Sequence, residues 1–223
     1  MLLLVAADPM EFAGLRKHCA AITRISVAAD WARMAELNGN RIVMIANGAG
    51  ARQAAKAVDA ARDISTIVST GFCGALDPAL GIGDIFVAQS VQGVPVSTPQ
   101  SCKVCTAGAL ASIDHVAQTA AEKAKLRTTG ASAVEMEAAG VQVRARALGV
   151  PFYCVRSVTD LADETFANDL NSALREDGHF ATMQILRSAM KDPVPRFREL
   201  VRLRRRCWTA ARTLGDFLAD CRF

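Results

Sequence analysis

An apolar strand, an alanine-rich helix and a second apolar strand follow one another in the segment ASAVEMEAAGVQVRARALGVPFYCVRSVTDLAD, residues 131–163. The runs 131–135 and 151–159 have the apolar, β-branched composition of buried strands, and 137–148 has the composition of a helix. The same alternation continues along the chain and predicts an α/β fold with a central sheet flanked by helices. Further strands are predicted at 1–7, 21–28, 31–37, 41–46, 64–70, 84–91 and 109–113, and further helices at 9–19, 51–62, 116–126, 170–190 and 193–219.

The length and composition of the chain predict a single domain. A chain of 223 residues, 51% of them hydrophobic and 22% charged, can bury one sizeable core and is unlike a disordered chain. We expect residues 1–191 to form the body of the domain and 192–223 to form a helical extension packed on it. The segment 92–108, which contains Pro95 and Pro99, is predicted to be a loop.

Neither an export signal nor a metal site is evident in the sequence. The apolar start of the chain is short, has no basic leader and is stopped by Asp8-Pro9. No apolar run approaches the ~18–20 residues that span a bilayer. The seven cysteines include one CxxC pair, Cys102 and Cys105, without a second pair to complete a zinc site. We therefore expect a cytoplasmic protein that holds no metal.

Positive charge is concentrated near the carboxyl terminus. Seven arginines lie from Arg196 to Arg212, against the single acid Glu199. Apolar residues lie between them at helical spacing, namely Phe197, Leu200, Val201, Trp208, Ala211, Leu214 and Leu218. The predicted helix 193–219 either docks on the body of the domain, makes a weak peripheral contact with an anionic membrane, or binds a partner. Nucleic-acid binding is not expected, because the arginines lack interleaved aromatic platforms apart from Phe197 and Trp208.

Acids and glycines stand where several of the predicted strands end. Glu11 follows the first strand, and it is either an acid that complements a helix dipole or a carboxylate aimed at the crevice beyond the strand. The glycines of Asn47-Gly48-Ala49-Gly50 either form a plain tight turn or let backbone N–H groups approach a bound oxygen or anion. Those of Gly71-Phe72-Cys73-Gly74 indicate backbone close to a ligand rather than a side-chain site. Acids also stand in Glu135-Met136-Glu137 and at Asp160. Burial without a partner would be costly there, so a ligand-binding or hydrogen-bonding role is favoured over packing.

Taken in order, these segments resemble the nucleoside phosphorylase/nucleosidase superfamily, from residue 1 to near residue 190. The most specific part is the pair VEMEA, 134–138, and RSVTDLAD, 156–163, which is most similar to the 5′-methylthioadenosine/S-adenosylhomocysteine nucleosidases. The resemblance implies a mixed, twisted, partly barrel-like sheet and a purine nucleoside substrate, with no cofactor and with a homodimer or larger homo-oligomer. The short region between Asp84 and Glu135 and the basic final helix are more similar to the hopanoid-associated phosphorylase branch, which implies removal of adenine from adenosylhopane.

The same resemblance implies a role for each matching residue. Asp160 is implied as the general acid that protonates purine N7, and Glu11 as the carboxylate that orients and deprotonates the attacking water. Because an aspartic acid is ordinarily ionised near neutrality, the site must desolvate Asp160 or bond its neutral form, and Thr159 is the adjacent candidate. The other implied site residues are Glu137 on the ribose hydroxyls, Met136 against the sugar, Arg156 near the water, Gly74, Phe72 and Thr159 near the substrate, Val116 and Ala117 in the base pocket, and the backbone of Gly48, Gly50 and Gly71 near the water or an anion.

Water rather than phosphate is expected as the second substrate. Phosphorylases of this superfamily carry a G-D-P-x-R segment whose arginine binds phosphate, and this chain has Glu11 at that place. Their R-x-G-S-C-G-A segment reads STGFCGA at 69–75, without the arginine and the serine. A carboxylate repels phosphate at such short range. The leading function is therefore hydrolysis of a 5′-substituted adenosine, and the alternatives are a phosphorylase or a catalytically silent nucleoside-binding protein of the same fold.

Overall fold

The computed structural model describes residues 1–223, in which ten strands form one mixed β-sheet. The strands are β1 Leu2–Ala6, β2 Ala20–Arg24, β3 Trp31–Leu37, β4 Asn40–Ala46, β5 Thr66–Ala75, β6 Ile85–Val91, β7 Val94–Pro95, β8 Thr106–Ser112, β9 Ala131–Glu135 and β10 Phe152–Asp160. The helices are α1 Ala51–Asp59, α2 Ala120–Arg127, α3 Ala138–Leu148, α4 Leu170–Ala173, α5 Thr182–Ala189 and α6 Pro193–Asp220. The predicted α/β class is confirmed.

Part of the sheet closes on itself. β5 is parallel to β10 and antiparallel to β9, and the ring runs on from β10 through β6 and β8 to β9. The first half of β5 pairs instead with β1, which leads to β4, β3 and β2. The mixed, partly barrel-like sheet is therefore confirmed. β5 pairs with β1 along its first half and with β9 at its end. Its glycine-rich second half is therefore one of the strands of the ring, where Gly74 pairs with Val134 on one side and with Asp160 on the other.

The two faces of the sheet are covered by different elements. Alternate residues of β1 point to opposite faces, so that Leu3 belongs to one apolar cluster and Leu4 to the other. Helices α1 and α3 cover the first cluster, and the two turns after β1 together with the carboxy-terminal half of α6 cover the second. Close backbone contact holds α6 in place, because a Cβ atom on Gly215 would lie 2.1 Å from the Leu15 nitrogen. The end of α6 is thus part of the core.

Several predicted element boundaries are wrong. The predicted helix 9–19 is two 3₁₀ turns, Pro9–Phe12 and Leu15–Lys17, separated near Gly14, a residue that disfavours helix. The predicted strand 21–28 ends at Arg24. The predicted helix 116–126 begins only at Ala120, because the Thr119 hydroxyl caps it by accepting from the Glu122 N–H at 3.1 Å.

The predicted continuous helix 170–190 is also wrong. It consists of the short α4 and of α5, separated by a turn at Gly178 with φ of +80°. The Gly178 carbonyl accepts a hydrogen bond from the Ala49 N–H at 2.8 Å, so the break ties this segment to the start of α1. The predicted loop 92–108 instead contains β7 and the first residues of β8, which starts at Thr106 and not at 109.

Candidate active site

A cavity of about 290 Å³ lies where β5, β9 and β10 meet. Nine of the residues proposed from the sequence line it, namely Glu11, Phe72, Gly74, Val116, Ala117, Met136, Glu137, Thr159 and Asp160. The other lining residues are Ala7, Ala49, Cys73, His115, Val134, Glu135, Phe166, Leu170, Phe180, Leu203 and Cys207. This volume is near the lower end of ~300–1,000 Å³ for small-molecule sites. Glu11 and Asp160, which are far apart in the sequence, thus line the same cavity.

Three backbone N–H groups hold the Glu11 carboxylate. Its Oε2 accepts from Ala7 at 2.8 Å and from Asp8 at 2.9 Å, and its Oε1 accepts from Phe72 at 2.8 Å. Burial raises the pKa of Glu11, although these N–H groups and the Arg156 guanidinium oppose the rise. Gly71 makes room for the carboxylate, because its φ is +140° and a Cβ atom there would lie 2.4 Å from Oε1. Glu11 is therefore fixed in place, at the edge of the cavity.

The Asp160 carboxylate is held by a bulge at the end of β10. The register shifts between Val158 and Asp160, and the shifted Asp160 lies beside Gly74. The Thr159 hydroxyl donates to Oδ1 at 3.1 Å. The Lys123 ammonium donates to Oδ2 and also to the Leu161 carbonyl at 2.7 Å. The partner of Asp160 is therefore a charged lysine as well as the threonine proposed from the sequence.

Gly74→Ala should impair the site with little effect on folding. A Cβ atom on Gly74 would lie 2.6 Å from Oδ2 of Asp160, so the carboxylate must move away. A displacement of about 1 Å at a reacting group costs about 10²-fold in rate. We expect a loss of that size in kcat/KM with a nearly unchanged melting temperature. Gly81→Ala is the control, since its nearest neighbour would be Oδ2 of Asp84 at an ordinary 3.4 Å. Equal activity in the two variants would contradict the expectation.

A buried cluster of two acids and one arginine forms the wall next to Glu11. Arg156 donates through Nη2 to Oε2 of Glu135 and, at 2.7 Å, to the hydroxyl of Ser69. The same nitrogen lies 3.9 Å from Oε2 of Glu137. Burial and the neighbouring Glu135 raise the pKa of Glu137 to about 8, more than Arg156 lowers it. Arg156 does not itself line the cavity, but its guanidinium donates to Glu135, which does.

The remaining glycines proposed from the sequence position other groups from behind the cavity wall. The Gly50 N–H donates to Oε1 of Glu137 at 3.0 Å, with a φ of +100° that favours glycine. The Gly48 N–H donates to the Ala7 carbonyl at 2.9 Å, and a Cβ atom on Gly48 would lie 2.6 Å from the Asp177 carbonyl. The cavity itself is lined by none of the three glycines Gly48, Gly50 and Gly71.

Several apolar residues that the sequence did not single out also line the cavity. Phe166, Leu170 and Phe180 come from the chain after β10, and Leu203 and Cys207 come from α6. Beside them, His115 is bound by Asp114 at 2.7 Å and by Glu122 at 2.5 Å, and these hydrogen bonds raise the pKa of His115.

The fold and this cavity define the class: an α/β protein with a carboxylate-lined cavity close to small-molecule size. The chain belongs to the phosphorylase superfamily, whose family model matches residues 2–103 and 102–189. That match spans most of the chain.

Solved structures share the fold over almost the whole chain. The 5′-methylthioadenosine/S-adenosylhomocysteine nucleosidase from Neisseria meningitidis, in complex with methylthio-immucillin-A, has a TM-score of 0.72 at 20% identity, with 98% of this chain and 96% of that chain covered. Futalosine hydrolase of Helicobacter pylori has a TM-score of 0.70 at 19% identity, with 97% and 94% covered. A structure from Borrelia burgdorferi bound to adenine has a TM-score of 0.70 at 15% identity, with 99% and 98% covered. At these identities the likeness is one of fold.

Proposed function

We propose that this protein is an enzyme that hydrolyses the N-glycosidic bond of a 5′-substituted adenosine and releases adenine. The observation that carries the proposal is that Glu11 and Asp160 line a single cavity between the strand ends. A fixed carboxylate and a second carboxyl group facing one bound molecule are what this cleavage requires. Support for adenine comes from the neighbours of the same fold, which include structures bound to adenine and to methylthio-immucillin-A.

Each catalytic residue has a defined task in the proposed reaction. The C1′–N9 bond breaks with its electrons passing to the purine, and N7 receives a proton from Asp160. The oxygen of a water molecule bonds to C1′, and Glu11 takes a proton from it. Glu11 also favours the positive charge that develops on the sugar. In the proposed complex Glu137 holds the ribose hydroxyls, and Met136 packs against the sugar.

The remaining site residues are proposed to contact the base, to support the acid or to orient the carboxylates next to the water. Val116, Ala117, Phe72 and Gly74 are proposed to contact the substrate on the side of the base, and Thr159 to support Asp160. Arg156 is proposed to orient the carboxylates next to the water. No cofactor is needed for these steps.

The charges next to Glu11 favour water over phosphate as the acceptor. Glu11, Glu135 and Glu137 line this region of the cavity, and Arg156 lies behind them bonded to Glu135. Even with Glu137 largely neutral at pH 7, because its pKa is raised to about 8, a phosphate anion would meet the carboxylates of Glu11 and Glu135 against the single Arg156 guanidinium. A water molecule is neutral, so its binding carries no such electrostatic penalty.

A substrate panel tests the proposal directly. Adenosine, inosine, methylthioadenosine and a 5′-alkyl adenosine are incubated with the enzyme, with and without phosphate, and the products are measured by mass spectrometry. We expect adenine and free ribose derivative in both conditions. A sugar 1-phosphate formed only with phosphate would identify a phosphorylase, and binding without any base release would identify a silent nucleoside-binding protein.

For the 5′ substituent we propose a large apolar group, such as the hopane of adenosylhopane. Phe166, Phe180 and Leu203 add apolar side chains to the cavity lining, which favour hydrocarbon over a charged amino-acid tail. The similarity of the sequence to the hopanoid-associated branch supports the same choice. When S-adenosylhomocysteine is added to the panel, the 5′-alkyl adenosine should therefore have the lower KM of the two.

We also propose that α5 and the part of α6 up to Trp208 contact an anionic membrane, from which such a substrate would enter. Exposed apolar side chains cover this surface, namely Met183 and Leu186 on α5, Met190 directly after it, and Val194, Phe197, Val201 and Trp208 on α6. Arg198, Arg204 and Arg205 are exposed among them and have no ion-pair partner, so the surface is complementary to anionic lipid. Leu203 and Cys207 of the same helix line the cavity. No helix of the structure has the length and apolar character needed to cross a bilayer.

Flotation with anionic vesicles tests the membrane surface. We expect the wild type to float at low salt and to dissociate at high salt, because screening weakens the arginine–lipid attraction. The triple variant Met183→Ser/Met190→Ser/Trp208→Ser should no longer float. The matched control is Val143→Ser/Leu148→Ser, which removes two exposed apolar side chains of α3. Negligible wild-type binding at both salt concentrations, or equal flotation of the two variants, would refute the proposal.

Finally, we propose a cytoplasmic homodimer or larger homo-oligomer, supported by the family resemblance. Light scattering of the purified chain measures the oligomeric state.

A further inference from the structure

Lys123 is a charged side chain in a place where lysine is rarely found. It is 0% exposed and lies on the inner side of α2, behind the wall of the cavity. Its ammonium donates only to Asp160 and to the Leu161 carbonyl, and it lies 5.4 Å from the centre of the Phe166 ring. A buried lysine of this kind is costly unless it is paired. Its position directly behind the proposed acid therefore calls for a functional reason.

We propose that the acid of this site is the Lys123–Asp160 pair, in which the Lys123 ammonium stores the proton that reaches purine N7 through Asp160. This inference rests on the proposed function. A carboxylate next to an ammonium is ionised and has no proton of its own to give. The nearest proton is the one on Lys123, which is hydrogen-bonded to Oδ2. Lys123 does not touch the substrate and is in this sense a positioning residue.

The proton can pass when the substrate fills the cavity. A bound purine excludes water. In a dry, largely apolar environment an ammonium–carboxylate pair is less stable relative to a neutral amine and a neutral carboxylic acid than it is in water. The ammonium then transfers a proton to Oδ2, and the resulting carboxylic acid protonates N7 as the C1′–N9 bond breaks. Lys123 is left as an amine, Asp160 as a carboxylate and the purine as a neutral base. Glu11 has meanwhile gained the proton of the attacking water, and solvent returns this proton to Lys123 after the products leave.

Other titratable groups face the pair and bear on its pH dependence. The cavity wall adds Glu11, Cys73, His115, Glu135, Glu137 and Cys207, and the segment after β10 adds Glu164, whose carboxylate binds Arg206 and the Leu161 N–H. Glu137, with a pKa raised to about 8, titrates in the range of interest. A kinetic pH profile therefore needs a second, residue-specific measurement beside it.

Kinetics of Lys123→Met test the role of the lysine. We expect kcat to fall about 10²-fold, the usual contribution of an acid, and the alkaline limb of the pH profile to move to lower pH. Lys125→Met, on the exposed side of the same helix, is the matched control and should behave as wild type. Lys123→Arg keeps the positive charge but cannot release a proton, so it should not restore kcat. An unchanged pH profile in folded Lys123→Met, or full activity of Lys123→Arg, would overturn the proposal.

NMR of the lysine side chains tests the charge state without turnover. The Nζ–H signal of a buried ammonium is protected from exchange, and it is assigned to Lys123 by its absence in Lys123→Met. We expect a protected ammonium signal at neutral pH in the wild type. A neutral amine at this pH would overturn the proposal. If no nucleoside is cleaved under any condition, the proposed function fails, while the NMR result still decides the state of the pair.

Discussion

Asp160→Asn should lower kcat for adenine release by about 10²–10⁴-fold, the range for loss of a general acid. An amide cannot take a proton from Lys123 and pass it to N7. Nucleoside binding should stay within about tenfold of wild type, because uniform binding interactions do not depend on the transferred proton. Steady-state kinetics measure the first effect and calorimetric titration the second.

The stability of this variant must be measured at the same time. Removing one partner of a buried ion pair costs about 3–5 kcal/mol, because the Lys123 ammonium is left without its counter-charge. The double variant Lys123→Met/Asp160→Asn removes both charges and should recover much of the free energy of unfolding without recovering kcat. Asp163→Asn, an exposed acid three residues further on, should leave both unchanged. Activity that returns along with stability would contradict a chemical role for Asp160.

Glu11→Gln should lower kcat/KM by a similar factor, about 10²–10⁴-fold. The amide cannot take a proton from water, and it also fits its surroundings badly. Both carboxylate oxygens accept backbone N–H groups, from Ala7 and Asp8 on one side and from Phe72 on the other. The NH₂ group of a glutamine must face one of these donors. The matched control is Asp8→Asn, where the changed carboxylate neighbours Glu11 in the sequence but does not line the cavity. Wild-type kcat/KM in Glu11→Gln would exclude Glu11 as the base.

The pH dependence of the wild type follows from the same carboxylate. Glu11 must be ionised to take a proton, so kcat/KM should fall as the pH is lowered through the pKa of Glu11. Burial raises this pKa above the ordinary 4.5, which places the acid limb of the profile higher than for an exposed glutamate. The limb should disappear in Glu11→Gln. A limb that persists there belongs to another group.

The acids of the site could be predicted from the sequence because they stand at strand ends. Glu11, Glu137 and Asp160 each follow a clear apolar strand, and each lines the cavity. Lys123 could not be found in this way. In AEKAKLR it lies in the same helix as Lys125, only two residues away, and the packing of α2 decides which of the two is buried.

The apolar lining residues Phe166 and Phe180 were missed for a different reason. Phe166 and Phe180 lie in or near a stretch that reads as helix by local composition but is broken at Gly178 by contact with Ala49, far away in the sequence. The closure of the strand ring is equally non-local, because the spacing of apolar residues shows which segments are strands and not which strands pair. Family resemblance supplied the barrel-like sheet that periodicity could not.

The carboxy-terminal half of helix α6 packs into the core, and Leu203 and Cys207, nearer the middle of the helix, line the cavity. The nucleoside proposed to bind there would therefore contact α6, and its binding free energy would add to the stability of the folded chain. Ligand at about 100 times its Kd stabilises such a protein by about 2.7 kcal/mol. In a cell, the abundance of this protein should consequently rise and fall with the supply of its own substrate.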